Sequence, residues 1–283
     1  MENVFKFLAV LGAIFFGAAQ GILIPILIQS FKNSLATPYY ILVTSSFLFA
    51  LIFFIIYIVH LKIKQRTRFF SFSRKEWSLF FLTGMFDAFT GLFLVYASDA
   101  TRTPIVMQTI LGGSTIIFTM FVSKRIIESK RGIKLFNRYV IISLSLLFAG
   151  IIISTIPQYT KAKWNPWNIF WICIFLLGIL CRALYNTLQE RYMEITDTSF
   201  TSKITILFWT CFFQFIVMLF LFWADWIPYF GYSKLNTFGD QTGRFFLCYF
   251  SIDCDWTLLL ALCFVGAYIG SYFSAIYLNA KSA

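Results

Sequence analysis

Charged residues are scarce in this sequence. Only 12% of the 283 residues are Asp, Glu, Lys or Arg, whereas 59% are hydrophobic and 21% are aromatic. Soluble globular domains carry about a quarter charged residues, so this composition excludes that class. Apolar runs of about 20 residues, each long enough to cross a bilayer core of about 30 Å, recur along the chain. The sequence therefore predicts an all-α polytopic membrane protein.

Histidine is almost absent, since His60 is the only one in the chain. Histidine-ligated metal sites and histidine-rich di-iron membrane enzymes therefore have no support. The chain has no Walker-type glycine loop, which leaves an ATP-driven pump unsupported. It also shows no paired carboxylates or Ser–His arrangement that would indicate an intramembrane enzyme. We expect no enzymatic activity, no metal site and no cofactor.

Acidic residues are also few, with 12 Asp and Glu against 23 Lys and Arg and a net charge of +11. Such a charge on a soluble surface would indicate a nucleic-acid partner. Here the basic residues are concentrated in the loops 61–76 and 123–138, so the membrane explains them and no nucleic acid is expected. By the positive-inside rule, both loops and both termini are predicted to be cytosolic.

Hydropathy predicts eight membrane spans, with the first kept as a helix rather than cleaved as a signal peptide. The segment 225–255 is the longest loop and falls on the non-cytosolic side. It contains Cys248 and Cys254, which are disulfide candidates on an oxidising face, with two free thiols as the alternative. The predicted spans are roughly 5–28, 39–60, 77–97, 104–122, 139–156, 167–188, 204–224 and 256–278.

The third span carries a carboxylate in its middle. Thr83, Asp87 and Thr90 recur at helical spacing, so they form one polar stripe on an otherwise apolar helix. A carboxylate at bilayer depth is costly and usually faces the bundle interior for a functional reason. Because desolvation disfavours a charged carboxylate, Asp87 is a candidate for proton exchange, or it stays charged and attracts a cationic solute. The alternative is a purely structural Asp87, hydrogen-bonded to hydroxyls or to an arginine.

Other polar residues within the spans are candidates to line a cavity together with this stripe. The fourth span has a second stripe at helical spacing, and two stripes on consecutive antiparallel helices can face one cavity. Arg182 in the sixth span either reaches towards the headgroups or belongs to the pathway. The candidate cavity-lining residues are Gln20, Thr83, Thr90, Gln108, Gly112, Thr115, Thr119 and Gln214.

Three segments together resemble a known family. The stretch FFLTGMFDAFTGLFLVYASDATRTPIVMQTIL is similar to the third and fourth helices of chloroquine-resistance-transporter-like (CRT-like) proteins in the drug/metabolite transporter superfamily. The shared features are a central Asp, a Thr-Arg-Thr turn and a Gln early in the next helix. FFLCYFSIDCDW and TCFFQF also resemble the family pattern.

The resemblance implies ten helices in two inverted five-helix repeats around a central cavity. Residues 1–156 would form the first repeat, and 157–283 would form a second repeat that is incomplete, with three spans. The implied activity is proton-coupled transport of cationic amino acids, small peptides or drugs across an acidic vacuolar or lysosomal membrane. Asp87 would sense protons or cations, and it would act alone because VGAYIGSYF lacks the second acidic residue of the family.

Two other functions remain open at this point. A nucleotide-sugar or phosphate-ester carrier of the same superfamily would need intramembrane cations, and only Arg182 is available. A non-transporting membrane scaffold is the reading to favour if the chain truly ends at residue 283. The lipid bilayer, protons and a small solute are the expected partners, and the sequence makes no prediction of oligomeric state.

Overall fold

In the computed structural model, all regular secondary structure among the described residues is helical. The helices are α1 (Glu2–Lys32), α2 (Pro38–Ile63), α3 (Arg74–Ala97), α4 (Ile105–Gly113), α5 (Thr115–Ile126), α6 (Trp167–Ile195), α7 (Phe200–Phe220), α8 (Phe238–Tyr249) and α9 (Thr257–Ser282), with a 3₁₀ turn at Phe222–Trp226. The described residues are 2–32, 37–63, 72–99, 102–127, 141–142, 145–146, 148–150, 152–153, 167–196, 199–231, 238–250, 254 and 256–282.

Six of these helices are long and apolar enough to cross a membrane, namely α1, α2, α3, α6, α7 and α9. They correspond to six of the eight predicted spans. The predicted fourth span is divided into α4 and α5, which meet at Ser114. The predicted fifth span, 139–156, lies largely outside the described residues, although those described between 141 and 153 are helical.

A capping box fixes where α3 begins. The backbone N–H of Glu76 donates to the Ser73 side chain at 3.3 Å, and the backbone N–H of Ser73 donates to Glu76 Oε2 at 2.7 Å. These two bonds satisfy backbone donors that have no partner inside the helix. The helix consequently starts at Arg74, three residues before the predicted span, and it continues through Asp87 to Ala97.

Helices α2, α3, α5, α6 and α7 form a connected assembly, in which α3 packs along both α6 and α7. The first and last helices, α1 and α9, pack along each other. Glycines allow close approach at two of these contacts, as is common between membrane helices. A Cβ at Gly84 would lie 2.7 Å from the Thr210 carbonyl oxygen, and one at Gly178 would lie 2.9 Å from Leu94 Cδ2.

The outward-facing surface of the bundle is apolar. Large side chains of α1 such as Phe7, Ile14 and Phe15 are more than 60% exposed, at 63%, 64% and 68%. Exposed apolar side chains on a helix of membrane-spanning length are suited to contact with lipid tails. The interior contains aromatic clusters instead, among them Trp77 and Trp209, whose ring centroids are 4.6 Å apart.

The predicted loop 225–255 contains the helix α8. Phe245 of α8 stacks on Phe31 of α1 and on Tyr40 of α2, with ring centroids 5.1 and 5.3 Å apart. A disulfide joins Cys248 to Cys254 and confirms the predicted pairing. The disulfide thus lies between the end of α8 and the start of α9, and ties the two helices together.

Candidate functional site

Asp87 lies near the middle of α3 and is buried, with only 7% of its surface exposed. The hydroxyl of Tyr272, from α9, donates a hydrogen bond to Asp87 Oδ2 at 2.5 Å. Hydrogen bonds to an ionised carboxylate are short and about twice as strong as bonds between neutral groups. The tyrosine therefore offers the buried carboxylate a direct partner from a helix at the other end of the sequence.

Four further groups surround the carboxylate closely enough to interact with it electrostatically. Arg182 and Tyr185 come from α6, Cys211 comes from α7, and Tyr268 comes from α9. Within the described part of the chain, no cationic side chain forms an ion pair with Asp87. Arg182 is exposed, so it acts on the buried Asp87 through space and not through a direct contact.

A second polar contact continues from this cluster along α6. Gln189 Nε2 donates to the Tyr185 hydroxyl at 2.7 Å, and both residues are buried. The Tyr185 and Tyr272 ring centroids are 6.3 Å apart. Buried polar groups generally need hydrogen-bond partners, and here the Asp87–Tyr272 and Tyr185–Gln189 pairs are each satisfied and are joined by the contact between the two tyrosine rings.

The predicted threonines of α3 are buried beside Asp87. Thr83 is fully buried and Thr90 is 8% exposed, as expected for one stripe facing inwards. Their hydroxyls donate to carbonyl oxygens of their own helix, Thr83 to Leu79 at 2.6 Å and Thr90 to Phe86 at 2.8 Å. Each oxygen keeps lone pairs that can still accept a bond.

Gln214 and Thr210 lie on α7, where that helix crosses α3 at Gly84. Both are buried, with 5% and 0% exposure. The Gln214 Oε1 and Thr210 Oγ1 atoms find no hydrogen-bond partner among the described residues. An unpaired buried polar atom costs about 1–3 kcal/mol, so such atoms usually have a reason to be there. The two unpaired polar atoms lie one helical turn apart on α7, in the close contact that this helix makes with α3.

The predicted cavity residue Gln20 lies between α1 and α9. Its side chain is buried, and Nε2 donates to the Ala267 carbonyl oxygen at 3.3 Å. Nearby, a Cβ at Gly270 would lie 2.6 Å from the Phe16 ring, so these two helices are in close contact. The structure thus gives Gln20 a role in joining α1 to α9.

For the predicted residues of the fourth span, the contacts that the structure records are with groups other than Asp87. Gln108 Nε2 donates to the carbonyl oxygens of Ser98 and Thr103, at 2.9 and 2.6 Å, so it closes the turn before α4. The Thr115 hydroxyl donates to the Gly112 carbonyl at 2.7 Å. Thr119 is half-buried on α5, and α5 packs along α6 and not along α3 among the described contacts.

Sequence reasoning did not single out the two tyrosines of the site, Tyr272 and Tyr185. The signal for Tyr272 was its place in AYIGSY, where Tyr268 and Tyr272 are one helical turn apart within an apolar span. Buried tyrosines usually need a partner for their hydroxyl. That rule predicts a polar neighbour, but it does not tell which residue the hydroxyl reaches.

The resemblance seen in the sequence is confirmed by comparison with known families. No curated protein matches the chain. A family model described as CRT-like, chloroquine-resistance transporter-like, matches residues 7–253, which run from within α1 to just past the end of α8 and include the site residue Asp87. The protein therefore belongs to the CRT-like family, and this membership indicates a membrane transporter.

Proposed function

We propose that the protein is a secondary active transporter that couples proton movement to the passage of a small cationic solute, with Asp87 as the coupling group. The drug/metabolite transporter arrangement, with units 1–156 and 157–283 as an inverted repeat, is part of this proposal. Membership of the CRT-like family and the six candidate membrane helices support it. In such repeats the site lies near the bilayer midplane between the two units, and Asp87 is near the middle of α3.

The buried carboxylate is the observation on which the proposal rests. Asp87 accepts a hydrogen bond from a neutral tyrosine and makes no ion pair with a described residue. A buried carboxylate without a fixed cation can be neutralised by a proton or by a cationic ligand, because either removes the cost of the isolated charge. Competition between these two occupants is the elementary requirement for exchange of protons against a cation.

The chemistry around Asp87 favours a solute with several N–H donors. The carboxylate is an acceptor, and the Gln214 amide oxygen and the Thr210 hydroxyl oxygen, on the helix that crosses α3 one turn before Asp87, have no partner in the described part of the chain. Ammonium and guanidinium groups carry donors only. Cationic amino acids, small basic peptides and cationic drugs are therefore the proposed solutes. Transport across an acidic vacuolar or lysosomal membrane, with cytosolic termini, is proposed from the family resemblance.

The two alternatives fit the site less well. A phosphate-ester carrier needs fixed positive charge at the site, whereas Arg182 shares its surroundings with the opposite charge of Asp87. A non-transporting scaffold does not require a carboxylate in the middle of a membrane-spanning helix, where such a group is expensive. Neither alternative predicts uptake of a cationic amino acid, whereas our proposal does.

Reconstitution into liposomes tests the proposal. Radiolabelled L-arginine is the probe, an imposed pH gradient is the driving force, and an enclosed pH-sensitive dye reports proton movement. We expect Asp87→Asn to lower gradient-driven uptake by about 10- to 100-fold, which corresponds to the 1.5–3 kcal/mol of a hydrogen bond to a charged group. Asp240→Asn is the matched control, because Asp240 is an exposed residue of α8, outside the candidate spans.

Uptake and proton movement must change together. Wild-type and Asp240→Asn protein should show both, and Asp87→Asn should show both reduced to a similar extent at equal protein abundance. If Asp87→Asn retained full uptake with an unchanged pH dependence, Asp87 would not be the coupling group. If wild-type liposomes took up no more L-arginine than empty liposomes and moved no protons, the proposed cation transport would be refuted.

A further inference from the structure

The helices around the site fall into two groups by their packing. Helix α9 packs along α1, while α3 packs along α6 and α7 within a separate assembly. Helix α9 also touches α6, α2 and α7 over shorter stretches, but it does not pack along α3 in the described part of the chain. The hydrogen bond between Tyr272 and Asp87 therefore links two helices that share no extended side-by-side contact.

The tyrosine is held so that its hydroxyl can make this bond. Its ring lies edge-on to Phe49 and Phe53 of α2, with ring centroids 5.9 and 6.0 Å apart, and both phenylalanines are buried. Aromatic edge-to-face pairs of this kind stabilise a ring orientation as well as burying area. The ring of Tyr272 thus packs among apolar side chains, while its hydroxyl donates to the carboxylate of Asp87.

We propose that the Tyr272–Asp87 hydrogen bond is a latch between the α1–α9 pair and the remaining helices, and that neutralisation of Asp87 weakens it. Tyr272 is then a positioning residue of the transport cycle. This inference rests on the proposed function, because it takes Asp87 as the group that binds the proton. It adds a structural step, in which a proton on Asp87 weakens the connection between α9 and α3.

The energetic reason is the charge dependence of the bond. A hydroxyl that donates to a carboxylate makes a charge-assisted bond, whereas donation to a neutral carboxyl group gives a bond of roughly half the strength. A proton on the carboxylate therefore removes part of the attraction between α3 and α9. A cationic solute at Asp87 has a similar effect, because it competes with the tyrosine for the same lone pairs.

Few other groups that face Asp87 could produce the same pH-dependent weakening of the contact between α3 and α9. Arg182 and Tyr185 face it from α6, Cys211 from α7 and Tyr268 from α9. Tyrosine and cysteine side chains are uncharged in the acidic range. Changes below neutral pH that require both Asp87 and the Tyr272 hydroxyl are therefore assigned to this bond.

A distance measurement in lipid nanodiscs tests the latch without a solute. Spin labels on Leu11 of α1 and Phe81 of α3 report the separation of the two groups, and both sites are exposed, at 46% and 44%. The exposed free cysteines Cys173 and Cys263 are replaced by Ala so that only the two introduced thiols react. Distances are recorded by pulsed electron paramagnetic resonance over a pH series.

We expect the wild-type distance distribution to shift to longer values as the pH falls. Tyr272→Phe and Asp87→Asn should each lose the pH-dependent shift and show the longer distance throughout. Tyr277→Phe is the matched control on α9, since its ring lies 4.6 Å from Lys203 Nζ and the cation–π contact is kept. It should respond to pH as the wild type does.

The outcomes separate this inference from the proposed function. If Tyr272→Phe kept the wild-type response, or if the wild-type distances did not depend on pH, the latch would be refuted, although Asp87-dependent arginine uptake could still stand. If the distances depended on pH, Asp87 and Tyr272 as expected while Asp87→Asn left arginine uptake intact, the latch would stand and the transport proposal would fail. If the wild-type protein showed neither a pH-dependent distance nor uptake of L-arginine, both the latch and the transport proposal would be refuted.

Discussion

Replacement of Gly84 by Ala tests the helix contact that places α7 beside Asp87. Gly84 precedes Asp87 by one helical turn and faces the backbone of α7 directly. A Cβ at this position would lie 2.6 Å from Phe213 Cβ, 2.7 Å from the Thr210 carbonyl oxygen and 2.9 Å from the Gln214 nitrogen. Two of these three atoms belong to the backbone, so a change of side-chain rotamer cannot remove the overlap.

The expected loss of stability in Gly84→Ala is the difference between two opposing effects. Overpacking costs about 1–3 kcal/mol, and because α7 itself must move, we take the upper end for Gly84→Ala. Alanine in place of glycine inside a helix recovers about 1 kcal/mol. The expected net loss is therefore about 2 kcal/mol. Gly266→Ala on α9 is the matched control, because nothing lies within 4 Å of its Cβ, and it should gain up to about 1 kcal/mol.

Thermal midpoints of the purified proteins in detergent, read by size-exclusion chromatography after heating, give the order of stability. We expect Gly84→Ala below wild type and Gly266→Ala equal to or above it. Uptake of L-arginine should also fall in Gly84→Ala, because α7 packs against α3 one helical turn before Asp87 and its displacement changes the surroundings of that carboxylate. A Gly84→Ala protein as stable as Gly266→Ala would show that α3 and α7 are not in the close contact described.

Two further predictions concern the end of the bundle where α8 lies. Tyr96 donates to Asp225 Oδ1 at 2.6 Å between buried side chains, so Tyr96→Phe should cost about 1–3 kcal/mol. Thermal midpoints should fall well below those of Tyr229→Phe, a residue 76% exposed, and equal midpoints would argue against a contribution of the bond. For the disulfide, denatured protein should bind four maleimides before reduction and six after it. Six without reduction would contradict the pairing, and Cys254→Ser should cost about 2 kcal/mol for so short a loop.

Much of the fold could be predicted because membrane helices are encoded locally. The predicted span 77–97 lies within α3, and its earlier start at Arg74 follows from the Ser73–Glu76 capping box. The break at Ser114 and the helix α8 were not predicted. Hydropathy is averaged over about 19 residues, so it overlooks both a single helix break and an amphipathic helix of only 12 residues.

The burial of the α3 stripe was equally predictable, because a regular spacing places Thr83, Asp87 and Thr90 on one side of a helix. The arrangement of the polar stripes of the third and fourth predicted spans around one cavity was harder to predict. Consecutive helices need not pack along each other, and here α5 packs along α6. Roles in transport for the cavity-lining residues therefore stay predictions, to be tested by the uptake assay.

The sequence by itself determined that this chain is a helical membrane protein of the CRT-like family, and it placed a carboxylate, Asp87, in the middle of a predicted span. Those conclusions depend on runs of neighbouring residues, and the cost of an exposed backbone or charge in lipid acts on each run separately. Only the tertiary structure decided that Tyr272, 185 positions away, donates to Asp87. It also decided that the amide of Gln20 bonds to α9. Contacts across a bundle depend on where helices cross and how close they come, which side-chain packing sets and spacing along one helix does not.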